Sequence, residues 1–251
     1  MSLSKNKIKY IQSLKDKKNR MEHGTFVAEG LKTVSDLLCS CHCQLIAGLP
    51  EAIKQINPPE NVEEIVLATE DELKKATFFK TPPPIIGVFY QPTANIVDLD
   101  LKTNLVLALD GIQDPGNLGT IVRLADWFGI EHIFCSDDSA DIYQPKAVQS
   151  TMGAIARVKV CYVNLFDFLS EKTGIPIYGT FLKGKNIYQT PLAGHGVIVM
   201  GNEGNGIRPD IQSLIREKLY IPNYPPHRPT SESLNVAVAT AIVCSEFRRR
   251  Q

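Results

Sequence analysis

Short apolar runs alternate with amphipathic stretches along most of this chain. Between residues 4 and 18, Ile8, Ile11 and Leu14 recur at helical spacing, and a second periodic segment covers 31–38 after a short apolar turn from Phe26 to Gly30. The apolar runs at 45–47, 65–67 and 85–89 predict strands. Helices are predicted near 51–56 and 70–76, the latter opened by the cap residue Thr69. This small α/β domain ends near Tyr90, and a polar, proline-containing stretch reads as a linker, giving domains over 1–92 and 105–251 joined by 93–104.

From Leu105 strands and helices alternate regularly. The strands are predicted at 105–109, 132–135, 158–161, 175–180, 196–200 and 219–222, and the helices at 118–128, 145–152, 165–172, 208–217 and 233–249. The run Leu105 to Leu109 has no polar alternation, so it reads as a strand buried on both faces. The fold class is α/β, with a parallel sheet covered by helices on both sides.

In such sheets ligands sit beyond the carboxyl ends of the strands, so the loops that follow strands are where chemistry is sought. Three stand out. The first, after 105–109, carries Gln113, Asp114 and Asn117 and leads into a helix on which Thr120 and Arg123 face away from the apolar stripe. Its plainer reading is Asn117 as a helix cap and Arg123 as a solvated charge. The second, Gly201-Asn202-Glu203-Gly204-Asn205-Gly206, combines a backbone free to turn tightly with one carboxylate at a strand end, and a simple glycine turn is the alternative. The third runs from Asn223 to Ser231 into Ser233-Leu234-Asn235-Val236, where Ser233 alone would be read as an N-cap. Neither G-x-G-x-x-G nor G-x-x-x-x-G-K-[ST] occurs, so the two commonest phosphate cradles are missing.

Composition narrows the picture. The 251 residues carry a formal net charge of zero, which argues against nucleic-acid binding by bulk charge, yet the charge is uneven. Lys5, Lys7, Lys9, Lys15, Lys17, Lys18 and Arg20 crowd the first twenty residues and Arg248, Arg249 and Arg250 lie near the end, either solvated helix faces or a footprint for nucleic acid. No apolar run approaches a membrane span and the N-terminus lacks the apolar core of a signal peptide, so a cytoplasmic location is expected. The six cysteines are then read as reduced thiols. The Cys39-Ser40-Cys41-His42-Cys43 cluster matches no standard zinc spacing, and no metal is expected.

Taken together, three segments resemble the SpoU, or TrmH, family of RNA ribose 2′-O-methyltransferases within the SPOUT superfamily. They are Asp114-Pro115-Gly116-Asn117-Leu118-Gly119 through Arg123, Met200 to Ile207, and Ile221-Pro222 with Ser233-Leu234-Asn235-Val236. Residues 13–32 resemble the start of the N-terminal RNA-recognition domain of many members, whose fold is like that of L30e-type ribosomal proteins. The resemblance implies S-adenosylmethionine-dependent methylation of a ribose 2′-hydroxyl, a trefoil knot in the C-terminal domain, and a homodimer. It implies that Thr180, Gly201, Ile221 and Leu234 contact the cofactor and that Asn117, Arg123, Glu203, Ser233 and Asn235 form the catalytic set, while Lys15, Lys17, Lys18 and Arg20 are the expected RNA contacts. Arg123 is expected to grip a phosphate and stabilise developing alkoxide, because a guanidinium that stays protonated is a poor base.

Two departures from the family pattern are visible: the segment 223–231 is longer than the usual turn, with His227 and Arg228 as open candidates for RNA contact, and Ala237 stands where a second serine is common. Ribosomal RNA is favoured as substrate over transfer RNA because of the N-terminal domain. The competing readings are a transfer-RNA 2′-O-methyltransferase, a ribosome-assembly factor that binds RNA without catalysis, and an unrelated α/β enzyme acting on a small nucleotide.

Overall fold

A computed structural model describes every residue except Met1, Asn61, 93–98, Pro226, His227, Pro229, Thr230, Arg250 and Gln251. The expectations for His227, Arg250 and the first half of the linker therefore lie outside the described residues. The chain divides into two compact units, Met1–Thr93 with Asp141–Arg157, and Ala94–Ala140 with Val158–Gln251.

The first unit begins with α1 (Lys5–Ser13) and α2 (Lys17–His23), two helices where sequence periodicity suggested one. The break is held by side chains: Asn19 Nδ2 donates to Ser13 O at 2.8 Å, and Arg20 Nη1 donates to Leu14 O and Lys15 O at 2.8 and 2.6 Å, satisfying carbonyls beyond the end of α1. The expected turn from Phe26 is instead a strand, β1 (Thr25–Glu29), antiparallel to β4 (Ile85–Tyr90) from Thr25 opposite Tyr90 onwards. Phe26, Val27 and Ala28 are all buried, so β1 shows no polar alternation, and Gly24 and Gly30, both at positive φ, turn the chain at its ends. The remaining elements are α3 (Leu31–Leu38), β2 (Cys43–Gly48), α4 (Pro50–Ile56), β3 (Val62–Leu67) and α5 (Glu70–Ala76), the last opened by a capping box between Thr69 and Glu72. The sheet order is β1-β4-β2-β3, and Val27, Leu45, Ala47, Val66 and Val88 bury one face against Ile11 of α1, Leu14 just after it and Leu73 of α5.

The second unit is a six-stranded sheet in which every pair is parallel. β5 (Leu105–Asp110) is buried along its whole length, as its apolar run implied, and leads to α6 (Pro115–Trp127) and β6 (His132–Ser136). The segment Asp141–Arg157, with α7 (Pro145–Ser150), belongs to the first unit, where Tyr143 packs its ring 4.8 Å from that of Phe26. The chain continues through β7 (Lys159–Val163), α8 (Leu165–Ser170), β8 (Ile177–Asn186), β9 (Gly196–Gly201), α9 (Pro209–Leu214), β10 (Glu217–Tyr220) and α10 (Val236–Arg249). Strand order is β10-β8-β9-β5-β6-β7. Val106, Ala108, Phe134, Val197 and Val199 bury one face against Leu165 and Leu169 of α8, Ile211 of α9 and Ile215 just after it, while α6 and α10 pack together elsewhere in the unit. Among the described residues no helix is long and apolar enough to cross a membrane.

Candidate active site

The carboxyl end of β5 anchors the site. Asp110 is 1% exposed, and it accepts 2.7 Å hydrogen bonds from the backbone N and the Nε of Arg208 and pairs with its Nη2 at 2.6 Å. A buried carboxylate needs such partners, and the hydrogen bond to Asp110 in turn raises the pKa of the Arg208 guanidinium above its ordinary value. This pair fixes the end of the Gly201–Gly206 loop to the central strand. Asn202 holds its middle: Nδ2 donates to Gly111 O at 2.7 Å, and Oδ1 accepts from Gly204 N at 2.8 Å and Asn205 N at 3.1 Å. The loop closes so tightly that a Cβ at Gly201 would sit 2.4 Å from the Gly206 carbonyl carbon, so only glycine fits.

Asp114, not Asn117, caps α6, its Oδ1 accepting from Asn117 N at 2.8 Å. That leaves the Asn117 side chain free to face the neighbouring loop, where its Nδ2 donates to Glu203 Oε1. On the opposite side Asn235, and not Ser233, occupies the capping position of α10: Oδ1 accepts from Ala237 N at 3.0 Å and Val238 N at 3.3 Å. With its oxygen turned to the helix, Asn235 Nδ2 donates to Asn117 Oδ1 at 3.0 Å. Each amide orientation follows from the one before, so a chain runs from the α10 cap through Asn235 and Asn117 to the Glu203 carboxylate.

Beside this chain lies a cavity of about 990 Å³ walled by the middle of β8, the ends of β9 and β10 and the segment before α10. All four expected cofactor residues, Thr180, Gly201, Ile221 and Leu234, line it, and so do Glu203 and Ser233. Thr180 donates to Met200 Sδ at 3.6 Å. Arg123 is exposed on α6 away from this lining and its side chain has no hydrogen-bond or ion-pair partner among the described residues. Three residues that sequence reasoning left out, Asp110, Asn202 and Arg208, set the loop geometry, and only the placement of Asp110 at a strand end hinted at it.

In the first unit, Lys15, Lys17 and Lys18 are exposed, consistent with contact to a polyanion. Arg20 is not available for that role. It is 2% exposed, and besides its bonds to Leu14 O and Lys15 O it pairs with Asp141 Oδ2 at 2.7 Å. In the cysteine cluster Cys39 is exposed while Cys41 and Cys43 are buried, and burial pushes the Cys43 thiol up to about 12.

A roomy crevice at the carboxyl edge of a parallel sheet, with one carboxylate held beside it by two amides, defines an α/β unit built to bind a small ligand next to a polar reaction centre. Residues 104–245 match the SpoU rRNA Methylase family and residues 5–87 the MRM3-like substrate binding domain. The chain is 31% identical over 259 aligned positions to the 23S rRNA (guanosine(2553)-2′-O)-methyltransferase RlmP of Bacillus subtilis, covering 98% of both proteins. It also superposes on a putative RNA methyltransferase of the TrmH family from Porphyromonas gingivalis, with a TM-score of 0.90, 40% identity and 99% of each chain covered. An AdoMet-bound rRNA methyltransferase from Sinorhizobium meliloti aligns with a TM-score of 0.89 and 27% identity, over 100% of this chain and 98% of that one. The chain belongs to the SpoU rRNA methylase family, and its second unit has the SPOUT methyltransferase fold.

Proposed function

We propose that this protein transfers a methyl group from S-adenosylmethionine to a ribose 2′-hydroxyl of ribosomal RNA. The observation that carries the reading is the chain Asn235–Asn117–Glu203 set against the 990 Å³ cavity. Full-length similarity to RlmP, whose name specifies 23S rRNA and a 2′-oxygen, favours ribosomal over transfer RNA as substrate.

The cavity has the volume and mixed lining that a nucleoside-sized cofactor needs: a glycine-rich turn and a second strand end offer backbone groups, and Met200, Ile221 and Leu234 offer apolar surface. Thr180, Gly201, Ile221 and Leu234 would hold S-adenosylmethionine, which supplies a methyl group already activated on a sulfonium. What remains for the protein is to align the 2′-oxygen and ease removal of its proton. Asn117 and Asn235 orient the Glu203 carboxylate, and Ser233 on the cavity wall orients the ribose. Arg123, exposed and uncommitted, grips the target phosphate with its forked guanidinium and stabilises developing negative charge, and the proton passes to that phosphate, Glu203 or water.

The homodimer and the trefoil knot belong to the same proposal. Support for the homodimer is the exposed apolar surface on the two helices next to the candidate site, with Trp127 of α6 83% exposed and Val238 of α10 50% exposed. A cytoplasmic place of action goes with the ribosomal substrate.

Two measurements test the reading. S-adenosylmethionine at saturating concentration is expected to raise the melting temperature while NAD and ATP leave it unchanged, and a shift with NAD or ATP instead would contradict it. Replacing Arg123 by Lys keeps the charge and removes the fork; a pH–rate profile and kcat close to wild type would rule out the bidentate role.

A further inference from the structure

The segment after β10 departs from the family's usual turn and presents the most exposed large apolar side chain in the described structure. Tyr224 is 88% exposed. It adjoins Asn223, which lines the large cavity; Asn223 Nδ2 donates to Arg228 O at 3.1 Å, and Arg228 N donates to Pro225 O at 3.2 Å. In the lining of the same cavity, Leu182 is 73% exposed and is followed by Lys183. The side chains of Lys183 and Arg228 have no ion-pair partner among the described residues, whereas nearby Lys218 is committed, lying 5.0 Å from the centre of the Phe181 ring.

A tyrosine this exposed adds almost nothing to folding, and an exposed flat ring next to a cavity whose lining includes an unpaired lysine suits a nucleobase and its phosphate better than a protein surface. We propose that Tyr224 and Lys183 form a clamp on the rim of the cavity that holds an unpaired nucleotide of the substrate RNA next to the methylation target. Tyr224 stacks on the base and Lys183 pairs with the phosphate. The proposal rests on the reading of the site as an RNA 2′-O-methyltransferase and extends it to a part of the chain that the family motifs do not include.

The test uses the full chain, S-adenosylmethionine and unmodified 23S rRNA made by transcription, and measures RNA affinity by filter binding, cofactor affinity by calorimetry, and kcat and KM by methyl transfer. Tyr224→Ala is expected to weaken RNA binding and raise KM by about tenfold, with kcat, cofactor affinity and melting temperature unchanged, and Tyr224→Phe to restore both. Lys183→Ala is expected to weaken RNA binding and flatten its dependence on salt. Wild-type RNA affinity in Tyr224→Ala would overturn the clamp. A Lys183→Ala variant that loses cofactor affinity but keeps RNA affinity would overturn the phosphate role and assign Lys183 to the cofactor carboxylate. A wild-type protein that binds this RNA without methylating it contradicts the proposed reaction, while the affinity series on the same RNA still decides the clamp.

Discussion

Asn235 performs two tasks with one amide. Its oxygen closes the first turn of α10, and its nitrogen steadies Asn117 and through it Glu203. The tasks separate by substitution. Asn235→Asp keeps a good cap but loses the donor, so melting is expected to stay near wild type while kcat falls by about a hundredfold, the scale of one misplaced catalytic contact. Asn235→Ala loses both and is expected to cost about 1 kcal/mol of stability as well. Chemical denaturation beside a turnover assay reads the two effects; an Asn235→Asp variant with full activity would remove the relay from the account. In the first unit Glu29 is a different kind of residue. Burial raises its pKa above the ordinary carboxylate value, against the lowering effect of bonds from Thr77 Oγ1 and Phe78 N. A raised folded pKa contributes stability below the unfolded value of 4.5, and that contribution is lost as pH rises through the folded one. Glu29→Gln removes this titration, so its urea midpoint relative to wild type is expected to rise as pH is taken upward from 4.5 through the raised folded pKa.

At the scale of elements, the loop after β9 is positioned by the end of β5. Arg208→Ala leaves the buried Asp110 carboxylate with only a backbone donor and is expected to destabilise by about 3 kcal/mol. Asp110→Asn keeps an acceptor for that donor, so its cost in a denaturation experiment is expected to be the smaller of the two. Much of this layer was legible in the sequence, because apolar runs bounded by turn residues marked every strand of the parallel sheet. The misses have local causes. Sequence pattern starts α6 at 118 rather than 115 because Asp114-Pro115-Gly116 looks like a turn, although Asp114 caps the helix and Pro115 suits its first position. The predicted end of β8 at 180 falls short of the strand because Lys183, Gly184 and Lys185 are exposed and break the apolar pattern. β1 was hidden by burial on both faces. Arg20 looked like one more surface cation, since nothing in local sequence reveals its distant partner Asp141.

At the scale of the molecule, motifs marked the candidate site residues, while the cavity was not legible, because its walls come from segments far apart in the chain that only the fold brings together. The first unit supplies Lys15, Lys17 and Lys18 as exposed cations without Arg20. Replacing all three by Ala is expected to weaken RNA binding and to lower the slope of log K against log salt by about 2, since each lost phosphate contact removes about 0.7 to 0.9. An unchanged slope would take these lysines out of the interface. The central claim is the reaction itself, and it is tested most directly by incubating the protein with labelled S-adenosylmethionine and unmodified 23S rRNA, followed by nuclease digestion and mass spectrometry of the nucleosides. The expected result is label in a 2′-O-methyl nucleoside, abolished in Asn117→Ala. Label on a base, or bound cofactor with no transfer to this RNA or to its ribosomal particle, would contradict the account.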